Sequence, residues 1–125
     1  MSTKKVLLVV EDEAPLRNAL LVKLRAEGYI AEGTGDGIEG LQRAGELHPD
    51  MILMDILMPK MHGIDCMKKI RQENWGKGIP ILLLTNFSND PRAVEISHDD
   101  PLCDYMIKSN VTLDEIIRRI QERLG

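Results

Sequence analysis

Val6-Leu7-Leu8-Val9-Val10-Glu11-Asp12-Glu13 is a run of five apolar residues that ends in three acids. A strand that is apolar at every position buries both of its faces, as strands do at the centre of a parallel sheet. The same pattern of a buried run closed by a polar residue recurs along the chain. Met51-Ile52-Leu53-Met54 ends in Asp55, Ile79 to Leu84 ends in Thr85, and Cys103 to Ile107 ends in Lys108. A weaker run, Tyr29 to Thr34, adds a fifth strand candidate.

Segments of helical period lie between these runs. The first is expected from about Ala14 to Glu27, where Pro15 suits a first helical turn, Leu16, Leu20 and Leu24 recur every four residues, and Gly28 stops the helix. The second, about Ile38 to Leu47, follows the turn Gly35-Asp36-Gly37 and is broken by His48-Pro49-Asp50. The third, Gly63 to Glu73, carries Ile64, Met67 and Ile70 on one face, and Asn74 to Gly78 reads as a loop. A short helix is expected around Pro91 to Ser97, ended by Asp99-Asp100-Pro101. The last, Thr112 to Leu124, places Leu113, Ile116, Ile117, Ile120 and Leu124 on one face. Strict alternation of strand and helix predicts an α/β protein with helices on both faces of a parallel sheet. Five units give a doubly wound, flavodoxin-like (βα)5 fold with strand order 2-1-3-4-5. A (βα)8 barrel needs about twice the length.

The composition agrees with one soluble domain, residues 1–125. Of 125 residues, 43% are hydrophobic and 29% charged, which excludes a disordered chain. No apolar run approaches the ~20 residues that span a bilayer. Met1-Ser2-Thr3-Lys4-Lys5 precedes too short an apolar stretch for a signal peptide, so a cytoplasmic protein without membrane contact is expected. The net charge of −4 argues against direct nucleic-acid binding. Cys66 and Cys103 form no paired motif and read as reduced thiols.

In a parallel sheet all the polar strand ends lie on one edge, and ligands bind there, where strand order reverses between strands 1 and 3. Glu11, Asp12 and Asp55 should therefore converge, with Thr85 and Lys108 beside them. Crowded carboxylates repel one another and need cations. Three carboxylates, the ammonium group of Lys108 and one Mg2+ sum to neutrality, and Mg2+ suits oxygen ligands that leave room for a phosphate. A carboxylate in such a site can serve as a nucleophile toward phosphorus. Taken singly, Asp12 reads equally as the cap of the first helix, and Thr85 and Lys108 as structural or solvated residues. Met51, Met54, Met67 and Met106 read as core fillers, and Lys60, Lys68, Lys69 and Arg71 as a solvated face or a partner contact.

The motifs Glu11-Asp12 after the first strand, Asp55 after the third, Met58-Pro59 with Gly63, Leu82-Leu83-Leu84-Thr85 and Tyr105-Met106-Ile107-Lys108 stand in one order over the whole chain. In this the chain resembles the response-regulator receiver domains of bacterial two-component signalling, of the stand-alone, chemotaxis-regulator-like kind. The resemblance implies that Asp55 is the phosphoacceptor and that Glu11, Asp12 and Asp55 hold Mg2+. It implies that Lys108 and Thr85 contact the phosphoryl group, and that Thr85 and Tyr105 form the switch. The donor it implies is a sensor histidine kinase or a phosphotransfer protein. The output would be a protein target, onward relay or a phosphorylation-dependent homodimer, with no enzymatic activity beyond self-phosphorylation and slow dephosphorylation. An alternative reading is a receiver-like docking module that is never phosphorylated. The chain departs from the family at Ser109, at Asn86, where a small residue is frequent, and in Asn89 to Pro101, which lacks the usual Ala- and Gly-rich helix end. Ser109 replaces the usual proline after Lys108, so the following loop is expected to run differently and to shift the lysine. Leu57 and Phe87, two residues after Asp55 and Thr85, cannot hydrogen-bond an attacking water, so a long-lived phosphate is expected.

Overall fold

Along β1 (Val6–Val10), Leu8 and Val10 join one apolar cluster, while Leu7 and Val9 join a second. Alternate side chains of a strand point to opposite faces, so β1 is buried on both. The computed structural model of the protein, which describes residues 4–86 and 91–124, carries this through the sheet. β2 (Ile30–Thr34), β3 (Met51–Asp55), β4 (Ile81–Thr85) and β5 (Cys103–Ile107) complete five parallel strands in the order β2-β1-β3-β4-β5, as predicted.

Helices cover both faces. α1 (Ala14–Ala26) and α5 (Leu113–Leu124) bring Leu20, Leu24, Ile116 and Ile120 to one cluster. α2 (Gly37–Leu47), α3 (Gly63–Gln72) and α4 (Pro91–Asp99) bring Ala44, Ile64, Met67, Ile70 and Ala93 to the other. The four methionines read as core fillers are buried, and both cysteines are buried free thiols whose pKa burial raises to about 12.

Boundaries differ from expectation where local chemistry decides them. β4 begins at Ile81 rather than Ile79, because Pro80 has no N–H for the ladder and offers only its carbonyl, to Ile52 N at 3.0 Å. α5 begins one residue late because Thr112 caps it. The Thr112 hydroxyl oxygen accepts from Glu115 N (3.2 Å) while Glu115 Oε1 accepts from Thr112 N (3.3 Å), a reciprocal pair that satisfies two free donors. The loop 74–78 holds a 3-10 turn, Asn74–Gly76, whose Trp75 ring stacks on His48 at a centroid distance of 5.3 Å.

α4 extends beyond the expected Ser97 to Asp99 and is tied to α3 by ion pairs. Arg92 meets Asp65 at 2.9 Å, and Arg71 reaches Asp100, just past the helix end, at 2.7 Å. Arg71 thus does not belong to a solvated face, whereas Lys60, Lys68 and Lys69 are exposed as expected, Lys60 pairing with Asp36 at 3.5 Å from the surface. Among the described residues no helix is long and apolar enough to cross a membrane.

One close approach sets the edge of the sheet where the polar strand ends meet. A Cβ on Gly63 would stand 2.2 Å from Asp55 O and 2.9 Å from Ile56 Cα, both backbone atoms that cannot swing aside. Gly63 N also donates to Ile56 O at 2.7 Å, folding the loop after β3 back onto its own strand. Gly63→Ala is therefore expected to lose about 3 kcal/mol in urea unfolding, the upper range for overpacking. Gly78→Ala, with nothing within 4 Å of the added methyl, should change stability by about 0.5 kcal/mol or less.

Candidate functional site

The C-terminal ends of β1, β3, β4 and β5 lie along one edge, and the loop after β1 carries Glu11 and Asp12 toward Asp55 at the end of β3. One carboxylate oxygen from each of Glu11, Asp12 and Asp55 lies within 4.8 Å of the others. Glu11 and Asp55 are buried, at 1% and 2% exposure, and Asp12 is exposed. Lys108 enters from the end of β5, its Nζ 2.6 Å from Glu11 Oε1 and 3.1 Å from Asp55 Oδ2. Thr85 is buried at the end of β4, next to Leu84, which pairs in register with Asp55.

The pocket holds more acid than its one ammonium group can neutralise. Burial pushes the Asp55 carboxyl up from its ordinary 3.8 to about 8, the negative charge of Glu11 adds to the rise, and Lys108 only partly opposes it. At Lys108, burial works against the ammonium form, but the short contact with Glu11 and the charge of Asp55 outweigh it and raise its pKa. Glu11 Oε1 and Asp55 Oδ1 are buried without a hydrogen-bond donor, the Lys108–Glu11 contact being an ion pair that misses hydrogen-bond angles. Buried acceptors left without donors are costly. Three oxygen donors within reach of each other, two carrying such atoms, fit a hard divalent cation such as Mg2+.

Five of the six residues singled out from the sequence fall at this edge: Glu11, Asp12, Asp55, Thr85 and Lys108. Asp12 does not cap α1. The capping position is Glu13, whose side chain makes no cap hydrogen bond. Ser109 lies in a 3-10 turn, Lys108–Asn110, with no cis peptide among the described residues, and Lys108 still contacts Glu11 and Asp55, so the expected shift does not remove it from the pocket. Tyr105 lies two residues before Ile107, the register partner of Thr85, and is partly buried against the cluster lined by α2 and α3. Leu57 is 44% exposed just after Asp55. Phe87 lies outside the described residues.

Two residues went unread in the sequence. Glu13 puts a further carboxylate 3.6 Å from Lys108 Nζ, and its place in the acidic run was the available signal. Arg17 donates from Nη1 to Glu11 O at 2.8 Å, a contact that no spacing pattern announces.

A doubly wound α/β protein with acids at its strand-order reversal belongs to a class that binds ligands at that edge. Residues 7–121 match the family model of the response regulator receiver domain, and the chain belongs to that family, the receiver domains of two-component systems. It is 35% identical over 118 residues to the DNA-binding response regulator MtrA of Mycobacterium tuberculosis, covering 94% of this chain and 50% of that protein. It is 40% identical over 89 residues to the two-component response regulator PhoP of Pseudomonas aeruginosa, covering 71% of this chain and 39% of that protein. Among solved structures it superposes on the chemotaxis response regulator CheY4 of Vibrio cholerae with a TM-score of 0.86, at 26% identity over 97% of this chain and 99% of that one. The receiver domain of a signal transduction histidine kinase from Syntrophus aciditrophicus gives a TM-score of 0.83 at 28% identity, over 96% and 89% of the two chains. The chain spans about half the length of the curated relatives it matches first. Those relatives are DNA-binding by name, which is partly at odds with the expectation of no nucleic-acid contact.

The raised pKa of Asp55 has a direction in pH. Metal-free folded protein keeps the Asp55 proton that the unfolded chain releases, so the contribution of this group is full below about pH 4 and is lost as pH rises toward about 8. In urea unfolding with a chelator, Asp55→Asn should exceed the wild type in stability at pH 8 by on the order of a few kcal/mol. The gap should close toward pH 4.

Proposed function

We propose that this chain is a phosphoacceptor switch. Asp55 accepts a phosphoryl group from the phosphohistidine of a sensor histidine kinase, or from a phosphotransfer protein, in a Mg2+-dependent reaction. The observation that carries this reading is a buried carboxylate, with Asp55 Oδ1 undonated, that shares the ammonium group of Lys108 with the second carboxylate of Glu11.

Glu11, Asp12 and Asp55 would hold the Mg2+. When bound, the ion supplies positive charge against the acids and the incoming phosphoryl oxygens. An Asp55 carboxylate oxygen attacks phosphorus, a P–O bond forms, and the P–N bond to the donor imidazole breaks. The electron pair of that bond returns to the imidazole nitrogen, which takes up a proton. Lys108 pairs with a phosphoryl oxygen, and the Thr85 hydroxyl donates to another. These new contacts exist only in the phosphorylated protein, so they shift an equilibrium between two conformations, with Thr85 drawn toward the phosphoryl group and Tyr105 turning with it. Residues 1–125 act as one receiver domain whose output is contact with a protein target, self-association or relay. In a longer protein of the DNA-binding kind, that output would pass to the rest of the chain. No other substrate is turned over, and phosphate leaves Asp55 slowly by hydrolysis.

Intact-mass measurement after incubation with acetyl phosphate and Mg2+ tests this. One added phosphoryl group is expected, lost in Asp55→Asn and in the presence of a chelator. A folded wild-type protein that gains no mass would overturn the reading in favour of a docking module. Leu57 offers no hydrogen bond to an attacking water, so the phosphate should be long-lived, and Leu57→Asn should shorten its half-life in the same mass assay.

A further inference from the structure

The loop between β1 and α1 carries two of the three clustered carboxylates, yet it lacks the usual helix-start anchor. Glu13 occupies the capping position of α1 without a side-chain cap bond, and the first turn of the helix holds no acid. Three other bonds help to hold the loop. Glu11 N donates to Thr34 O at the end of β2 (3.0 Å), and Glu13 N donates back to Glu11 Oε2 (3.1 Å). Arg17, one turn into α1, reaches back so that its Nη1 donates to Glu11 O (2.8 Å).

The arginine fits because two positions beneath it carry no side chain, Gly33 in β2 and Gly35 just after it. A Cβ at Gly33 would lie 3.1 Å from both Cγ and Cδ of Arg17, and a Cβ at Gly35 would lie 3.4 Å from its Nη1. The stem runs over Gly33 and the guanidinium passes Gly35. No ion pair of Arg17 with an acid of the pocket accompanies this bond among the described residues, so its charge is directed at a neutral carbonyl. The bond fixes the peptide that joins Glu11 to Asp12. It therefore bears on where both carboxylates point.

We infer that Arg17 is a positioning residue for the acidic pocket, acting through the Glu11 carbonyl to hold Glu11 and Asp12 in register with Asp55 for a divalent cation. The inference rests on the proposed Mg2+ site. Groups that orient metal ligands from outside the ligand set commonly account for 10–100-fold in metal affinity.

The test is titration of the full chain with MgCl2 by calorimetry, which reads binding without phosphorylation. Arg17→Met keeps an unbranched stem over Gly33 and removes the donor. Its Mg2+ dissociation constant is expected to rise by about tenfold or more. Arg17→Lys, which keeps a charged donor on a long stem, should recover part of that loss. Arg17→Gln, too short to reach the carbonyl, carries the same expectation as Arg17→Met and replaces it if that variant does not fold. Wild-type affinity in a folded Arg17→Met or Arg17→Gln would overturn the inference while leaving the metal site intact. A wild-type chain that binds no Mg2+ would overturn both.

Discussion

Two buried carboxylates share one ammonium group at the edge of the sheet, and much else in the molecule is arranged around that imbalance. Like charges in an apolar setting repel strongly, because little water is present to screen them. Glu11 and Asp55 nonetheless stay buried, held by strand ends that the core places there and by Lys108 arriving from β5. The site is left short of positive charge and of hydrogen-bond donors. That shortage fits a cation held by the clustered carboxylates.

The scaffold that imposes this crowding is rigid for simple reasons. β1, β3 and β4 are buried on both faces, so a slip of one residue would exchange two complete sets of packing partners. The edge is tightened further by backbone approaches that admit no side chain, Gly63 against Asp55 O and Gly37 against Met61 O. The periphery is held differently. α4 contributes only Ala93 to the buried core and is tied to α3 by the Arg92–Asp65 pair and, just past its end, by the Arg71–Asp100 pair. The Arg92–Asp65 pair joins exposed charges and is weak and salt-sensitive, while Arg71–Asp100 is partly buried, so α4 rests on few firm contacts compared with the strands beside it.

Local chemistry explains what could be read in advance and what could not. The strand order and the convergence of Glu11, Asp12, Asp55, Thr85 and Lys108 followed from fully apolar runs that end in polar residues, because a parallel sheet sends all those ends to one edge. Element limits at Pro80 and Thr112 depended on a missing N–H and on a reciprocal cap, both visible in the letters but outweighed by apolar pattern. Arg71 read as surface charge because a sequence does not say which exposed-looking residue has an acid within reach across the fold.

The chain alone therefore specified the architecture and the membership of the acidic pocket, since both derive from periodicity, which is local. Tertiary structure alone decided that Asp12 leaves the cap of α1 to Glu13, that Glu13 stands beside Lys108, and that Arg17 passes Gly33 of β2 and Gly35 just beyond it to reach the Glu11 carbonyl. Those are contacts between residues on different elements or around a loop. Their distances depend on how helix and strand pack together, which no spacing along the chain encodes.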